Sequence, residues 1–350
     1  MIGVAILGAG IGAEHLAALR TLPDCFDVRR IIDRDLLRAR SLCAGPACTV
    51  SADIADALTD PSIDLIDICL PPHLHVAVTL QALAAGKHVV CEKPIATSLE
   101  DVARIEDAAR AAARRVFPVF QYRWGPSLSK LRALMASGLT GALHSAALET
   151  HWNRGTDYYA APWRGTWEGE RGGAVLGHAI HNHDLLCHIG GDVASVMAMT
   201  TTRINDIETE DCAAISLEMA SGALCTSSIT LGAATNETRL RLVFERLTAT
   251  SGTAPYDPGS VPWRFVARDL CDQAAIDSVT TKVHAERTGF AGFFEQVAHA
   301  LAGQQNTAVT LDAGAQSIAL VTAIYHAART GERVTLPLPA DHPLSKGWLP

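Results

Sequence analysis

The chain has 350 residues, more than one hydrophobic core usually holds, so we expect two domains. Hydrophobic residues make up 48% of the chain and charged residues 19%, a globular composition that excludes intrinsic disorder. The net charge of −8 and the scattered basic residues argue against a nucleic-acid partner.

Short strands and helices alternate through the first 120 residues. Apolar runs predict strands at 4–7, 28–32, 63–70, 88–91 and 116–121, and helical spacing predicts helices at 11–22, 36–43, 73–85 and 99–114. Parallel strands need a crossover between them, and helices of this length supply it. The sequence therefore predicts an N-terminal α/β domain over residues 1–122, a Rossmann fold with a doubly wound parallel sheet.

The pattern changes after Arg123. We expect helices at 128–137, 174–189, 292–303 and 312–330, with Asp312 as the N-cap of the last one. A strand at 142–151 and alternation over 193–266 favour a large, mostly antiparallel open sheet, with residues 123–350 forming an α+β domain. Because its outward positions are half apolar, we expect a homodimer or homotetramer. The proline-rich tail 336–350 is expected to lie extended on the surface.

The sequence also carries signals about location. No apolar run reaches the ~18–20 residues that span a bilayer, and the strand that opens the chain leaves no basic region or cleavage site for export. Nine cysteines at irregular spacings, without a CxxC pair, indicate reduced thiols. We therefore expect a cytoplasmic protein without a membrane partner.

A glycine-rich turn follows the first strand and opens a helix, with the sequence Gly8-Ala9-Gly10-Ile11-Gly12-Ala13. Such a turn brings backbone close to a pyrophosphate, and the helix N-terminus supplies N–H donors. Asp33 ends the second strand, where dinucleotide-binding domains place the acid that binds the adenosine ribose. An acid there favours NAD, whereas the neighbouring Arg34 leaves NADP open. The alternative for Asp33 is an ordinary helix N-cap.

Further motifs follow in a fixed order: Pro71-Pro72-His73-Leu74-His75, Gly86-Lys87-His88 with Glu92-Lys93-Pro94, and Gly172-Gly173 with His181 and Asp184. Together with the glycine turn they resemble the Gfo/Idh/MocA family of NAD(P)-dependent oxidoreductases, over nearly the whole chain. The resemblance implies a dehydrogenase acting on CH–OH groups. Its expected reaction is hydride transfer between NAD(P) and a secondary alcohol or ketone of a sugar, sugar derivative or cyclitol.

The resemblance also assigns roles to single residues. Lys93 and His181 are the expected catalytic residues, and one of them takes the hydroxyl proton. In the family an aspartate stands four residues before this histidine, but the chain has Gly177 there. Either another group, such as His178 or Asp157, orients His181, or Lys93 carries the proton largely alone. We favour Lys93, because Gly177 also opens space for a bulkier substrate. The expected cofactor-binding residues are Gly8, Gly10, Ile11, Gly12, Asp33, Arg34, Leu70, Pro71, His75, Glu92, Lys93, Gln121, Trp163 and Arg164.

Residues 152–167 combine aromatic rings with Asn, Asp and Arg side chains, which suits a polyhydroxylated ligand, although core packing or a subunit contact is an equal alternative. The expected substrate-binding residues are Lys93, Arg123, Asn153, Asp157, Tyr158, His178 and His181.

Two other functions remain open. The missing acid at Gly177 would also fit a non-catalytic NAD-binding sensor. His178, His181 and Asp184 could bind zinc or iron in a metal-dependent enzyme. We expect no metal, because HExxH and CxxC motifs are absent and the family is metal-free.

Overall fold

The computed structural model describes residues 1–43, 48–269, 272–284 and 286–350. The chain divides into two compact units, the first formed by 1–119 with 290–318 and the second by 120–289 with 319–350. The sequence predicts a single boundary at 122/123, whereas the observed segment 290–318 lies in the first unit. Phe290 and Phe294 of this segment pack against His15, with ring centroids 4.5 and 5.4 Å apart.

The first unit contains a six-stranded parallel sheet in the order β3-β2-β1-β4-β5-β6. Its strands are β1 Ile2–Leu7, β2 Phe26–Ile32, β3 Thr49–Ser51, β4 Leu65–Ile68, β5 His88–Cys91 and β6 Val116–Pro118. The connecting helices are α1 Gly12–Arg20, α2 Leu36–Leu42, α3 Ala55–Leu58, α4 Pro72–Ala84 and α5 Leu99–Ala112. The predicted doubly wound parallel sheet is confirmed. Strand order reverses between β1 and β4, and ligands bind such sheets at the carboxyl ends beside this point.

The second unit contains an eight-stranded sheet in the order β13-β12-β11-β7-β10-β9-β8-β14. Its strands are β7 Leu143–Asn153, β8 Val193–Thr201, β9 Cys212–Met219, β10 Leu224–Thr230, β11 Gly232–Phe244, β12 Leu247–Thr250, β13 Arg264–Ala267 and β14 Val334–Thr335. The predicted, mostly antiparallel sheet is confirmed. The exception is β10, which pairs in parallel with β7 from Leu224↔Ser145 to Thr230↔His151. Because β11 pairs with the other edge of β7, the link at Leu231 carries the chain across the end of β7.

Helices of the remaining chain are α6 Pro126–Ala136, α7 Thr156–Tyr159, α8 Trp167–Glu170, α9 Ile180–Gly190, α10 Gln273–Thr281, α11 Gly289–Leu301 and α12 Leu311–Thr330. A 3-10 turn occupies Gln121–Arg123, and a π-helix, Val175–Ala179, precedes α9. The predicted single helix at 174–189 is therefore two segments of different pitch. Among the residues described, no helix combines the length and apolarity needed to cross a bilayer.

Three local predictions are wrong. The tail does not lie wholly on the surface: Trp348 is fully buried, and its indole N–H donates to the Arg171 carbonyl over 2.6 Å. Burial of this large apolar ring is favourable because its one polar group keeps a hydrogen-bond partner. Helix α12 begins at Leu311, so Asp312 lies inside the first turn rather than at the N-cap. Cys43 and Cys48 form a disulfide, their Cα atoms being 5.7 Å apart, so not every thiol is reduced.

Candidate functional site

The three glycines of the turn between β1 and α1 have separate steric roles. Gly8 has φ +103°, and a Cβ there would lie 2.4 Å from the Cys69 carbonyl oxygen. Around Gly10, no described atom lies within 4 Å of a built Cβ, which leaves the backbone open to a ligand. A Cβ on Gly12 would lie 2.8 Å from Ile6 Cγ2. Gly12 therefore provides the close helix–strand packing that the standard motif assigns to a glycine one residue later.

Asp33 connects the end of β2 to the glycine turn. Its carboxylate accepts the Ala9 N–H over 2.7 Å and the Asp35 N–H over 2.8 Å. The N-cap of α2 is Asp35, which accepts the Arg38 N–H over 3.1 Å, so the alternative of Asp33 as helix cap is wrong. Arg34 is exposed. The glycine turn, the N-terminus of α1 with Ile11 as its cap residue, and the adjacent carboxylate fit a dinucleotide.

His75 links the loops that follow β4 and β5. The ring is buried, with one nitrogen 2.7 Å from the Pro94 carbonyl oxygen and the other 2.6 Å from that of Leu70. Burial lowers the pKa of His75, whereas the hydrogen bonds to these two carbonyl oxygens act in the opposite direction. Pro71 is the N-cap residue of α4. His75 thus holds together the two loops on which the predicted cofactor residues Leu70, Pro71, Glu92 and Lys93 lie.

Glu92 and Lys93 follow β5 at the carboxyl end of the parallel sheet. Glu92 is buried, and its Oε2 accepts the backbone N–H of Lys93 over 3.1 Å. The Lys93 side chain is half-buried, and the Lys93–Pro94 peptide bond is cis. Both residues therefore occupy the edge where parallel sheets bind ligands.

Sequence reasoning missed His15, a fully buried residue of α1. Its ring lies 3.0 Å from both carboxylate oxygens of Asp67 and 3.1 Å from Glu92 Oε1. His15, Asp67 and Cys69 are the one group of three potential metal ligands found among the described residues, with their atoms within 4.8 Å. These atoms hydrogen-bond to one another, and burial raises the pKa of the Cys69 thiol to about 12, which disfavours the thiolate that binds metals.

The predicted catalytic histidine belongs to the second unit. Gly177 and His178 lie in the π-helix, and His181 lies in the first turn of α9. The start of the π-helix is held by buried Glu210, whose carboxylate accepts hydrogen bonds from the N–H groups of Gly173 and Val175 over 3.1 and 3.0 Å. Burial raises the pKa of Glu210 to about 7. π-Helical turns are frequent at functional sites.

His178 and His181 face different aromatic residues. The His181 ring stacks on Tyr122, with centroids 4.6 Å apart, whereas His178 meets the Trp152 ring edge-on at 5.1 Å. Within the described part of the chain, His178, His181 and Asp184 do not form a cluster of potential metal ligands. At Gly177, no described atom outside its own helix and chain neighbours lies within 4 Å of a built Cβ.

Arg123 forms an ion pair with Asp184. Its Nε and one terminal nitrogen donate to the two carboxylate oxygens over 2.8 and 2.5 Å, and both side chains are buried. The Arg123 guanidinium, which was predicted to bind substrate, is therefore paired with Asp184. Gln121, two residues earlier, is also buried, and its Oε1 has no hydrogen-bond partner in the described ranges.

A cavity of about 520 Å³ in the second unit, lined by residues 153–158, contains three of the predicted substrate residues, Asn153, Asp157 and Tyr158. We call it the arginine–aromatic cleft. His178 also contacts Tyr158, with ring centroids 5.6 Å apart.

Two arginines stack on Tyr158 of this cleft and on rings outside its lining. The Arg164 guanidinium lies 3.9 Å from the Tyr158 ring centroid and 4.4 Å from that of Trp163, and Glu170 pairs with it at 3.5 Å. Arg154 lies 4.8 Å from Trp152 and 4.9 Å from Tyr158. Among the residues described, the Arg154 guanidinium donates to neutral oxygens of Asn153, Asn236 and Tyr256, over 2.8, 3.3 and 3.1 Å, and to no carboxylate. The prediction omitted Arg154, although it stands between Asn153 and Tyr158 in the sequence.

Two models of one family match the chain. The model of the GFO_IDH_MocA oxidoreductase family, an NAD-binding Rossmann fold, matches residues 2–120, and the GFO/IDH/MocA C-terminal domain matches residues 128–250. Between them they take in the glycine turn, Lys93 and His181.

Individual relatives are similar over different lengths. An uncharacterized oxidoreductase from Synechocystis is 29% identical over 65% of this chain and 65% of its own length. Inositol 2-dehydrogenase from Mycolicibacterium smegmatis is 34% identical over 39% of this chain and 41% of its own. The chain thus spans less than two thirds of the length of these curated relatives.

A solved structure matches nearly the whole chain. The WlbA dehydrogenase from Bordetella pertussis, crystallised with NADH and UDP-GlcNAcA, has a TM-score of 0.84 and 29% identity, covering 97% of this chain and 99% of that one. Together with the observed glycine turn and strand-end residues, these matches confirm the predicted family and its cofactor class. The chain belongs to the Gfo/Idh/MocA family of oxidoreductases, and its first unit is an NAD-binding Rossmann fold.

Proposed function

We propose that the protein is an NAD-dependent dehydrogenase that transfers a hydride between NAD and a secondary alcohol or ketone of a sugar, sugar derivative or cyclitol. The observation that carries the proposal is the arrangement of the first unit, where an open glycine turn and the Glu92-Lys93 pair lie at the carboxyl edge of one parallel sheet. Asp33 supports NAD over NADP, because a carboxylate repels a 2′-phosphate.

NAD, when bound, accepts or supplies the hydride. The chain's own residues orient the substrate and move the hydroxyl proton. We propose Lys93 as the main proton carrier, with His181 positioning the hydroxyl, because the family's aspartate is replaced by Gly177. The buried stacking of His181 on Tyr122 supports an oriented ring without that acid.

We further propose that the substrate carries an anionic group, and that Arg154 binds it in the arginine–aromatic cleft. Arg154 is half-buried among three rings, and its charge has no carboxylate partner in the part of the chain that the structure describes. A half-buried cation without an ionised partner favours an anion. The similar WlbA dehydrogenase was crystallised with the acidic sugar nucleotide UDP-GlcNAcA.

The test is a panel of neutral and acidic sugars and cyclitols, assayed with NAD by the absorbance of NADH. We include glucose, myo-inositol, glucuronate and UDP-GlcNAcA. We expect turnover with at least one acidic member, and Arg154→Met should raise its KM at least about 10-fold, the order of one charge-assisted hydrogen bond. Arg203→Met, at an exposed residue, is the matched control. Turnover of neutral sugars alone contradicts the anionic substrate, and NAD binding without turnover of any member would favour a sensor.

We also propose a homodimer or homotetramer built on the open face of the eight-stranded sheet. Apolar side chains on this face, Met197, Met199 and Leu224, are 50%, 72% and 64% exposed. An exposed patch of this kind marks an interaction surface. Light scattering at micromolar concentration should give a dimer or tetramer mass, and Met199→Glu should lower it, whereas a monomer of the unmodified chain would contradict the proposal.

A further inference from the structure

A buried imidazole bridges two carboxylates beside the ligand edge of the first sheet. His15 comes from α1, Asp67 from β4 and Glu92 from the residue after β5. One ring nitrogen lies 3.0 Å from both oxygens of Asp67, and the other lies 3.1 Å from Glu92 Oε1. The side chains of His15 and Asp67 are fully buried, and that of Glu92 is 10% exposed.

The bridge determines the charge of the ring. Ionised carboxylates only accept hydrogen bonds, so a ring that faces carboxylate oxygens at both nitrogens donates from both and is an imidazolium. Burial by itself would lower the pKa of His15, but the charge of Asp67 and its hydrogen bond raise it well above the usual range. On its other side the ring contacts only the apolar Phe290 and Phe294 among the described aromatic residues.

The same bridge immobilises Glu92. Its Oε1 faces the His15 ring, and its Oε2 accepts the Lys93 N–H over 3.1 Å, so both oxygens are held. A carboxylate this buried stays ionised only when it is paired. The imidazolium supplies that pairing. The carboxyl ends of β1, β4 and β5 are adjacent in the sheet, so this carboxylate lies at the edge where the sheet binds its ligand.

We propose that His15 is a positioning residue of the cofactor site: oriented by Asp67, its imidazolium fixes Glu92 and keeps it ionised, so that Glu92 can accept hydrogen bonds from bound NAD. The inference rests on the proposed function, because it requires NAD to bind at this edge. It gives Asp67 a role in cofactor binding as well, through His15.

The first experiment measures NADH affinity by fluorescence titration. His15→Gln removes the charge of the bridge, and Asp67→Asn removes the charge that orients His15. We expect each to raise the Kd of NADH about 10-fold, and the double variant to raise it little more than either one, because both act through Glu92. The control is His88→Gln, at the opposite end of β5, where the ring accepts the Arg115 N–H over 3.0 Å. It should leave the Kd unchanged.

The second experiment uses the unmodified chain. A histidine-selective ¹⁵N NMR titration, with the His15 signal assigned by its loss in His15→Gln or by its shift in Asp67→Asn, should show both ring nitrogens protonated through pH 8. A signal that titrates near the ordinary ~6.5 overturns the proposal.

A lower Tm in His15→Gln with an unchanged Kd for NADH would show a purely structural role and also overturn the proposal. If the unmodified chain does not bind NADH, the proposed function fails together with this inference. A neutral His15 in a chain that binds NADH normally overturns this inference alone.

Discussion

The ion pair between Arg123 and Asp184 allows a quantitative prediction. Both side chains are buried and joined by two hydrogen bonds of 2.8 and 2.5 Å, so Arg123→Ala leaves a buried carboxylate without its partner. Breaking a buried pair in this way costs about 3–5 kcal/mol. Since 1 kcal/mol shifts the Tm of a domain of about 200 residues by about 2–4 °C, we expect a fall of roughly 6–20 °C in thermal unfolding at pH 7.

Two controls isolate the pair. Arg239→Ala breaks exposed pairs with Glu149, at 3.7 Å, and Glu237, at 3.5 Å, and should cost less than about 1 kcal/mol. The double variant Arg123→Met, Asp184→Leu removes both charges and should recover most of the loss, because apolar residues of similar size often replace buried pairs without penalty. The reasoning is refuted if Arg123→Ala lowers the Tm no more than Arg239→Ala. An unchanged Tm with a raised KM would instead restore Arg123 as a substrate-binding residue.

Three further predictions concern catalysis, cofactor choice and pH. Lys93→Ala should lower turnover about 10²–10⁴-fold, and a similar loss in His181→Ala would contradict the assignment of the proton to Lys93 alone. With Asp33 at the ribose, calorimetry should show NAD binding more tightly than NADP by about 1–3 kcal/mol, and comparable affinities would contradict this. The pKa of Glu210 is raised from 4.5 to about 7. Its contribution to the free energy of unfolding is therefore fully present below pH 4.5, and about 3 kcal/mol of it is lost as the pH rises through 7. Glu210→Gln should flatten this part of the pH–stability curve in thermal unfolding, and an unchanged slope would refute the assignment.

Most of the fold follows from local patterns. Buried parallel strands give continuous apolar runs such as Val4–Leu7, and half-buried antiparallel strands alternate as in Cys212–Met219, so both sheets could be predicted. The parallel pairing of β10 with β7 could not, because it depends on where the chain crosses the sheet. Likewise, the spacing of apolar residues in 290–318 predicts helices but does not show that the segment belongs to the first unit.

The residues of the candidate site also fall into those that the sequence predicts and those that it does not. Residues in contiguous motifs, such as Gly8–Gly12 and Glu92-Lys93, were found because spacing along the chain determines their position. The partners of His15 and Arg123 were missed, because His15 contacts residues 52 and 77 positions away and Arg123 contacts one 61 positions away. A single histidine or arginine carries no signal of such a partner.

The return of residues 290–318 to the first unit limits how the protein can be dissected. A fragment ending at residue 119 would contain the whole parallel sheet but lack Phe290 and Phe294, whose rings cover His15. In that fragment the His15 imidazolium would face water instead of the two phenyl rings. A single cut in the gene therefore cannot release an intact nucleotide-binding domain. Domain exchange with a relative has to transfer two separated segments, and a library of simple truncations would underestimate the stability of this unit.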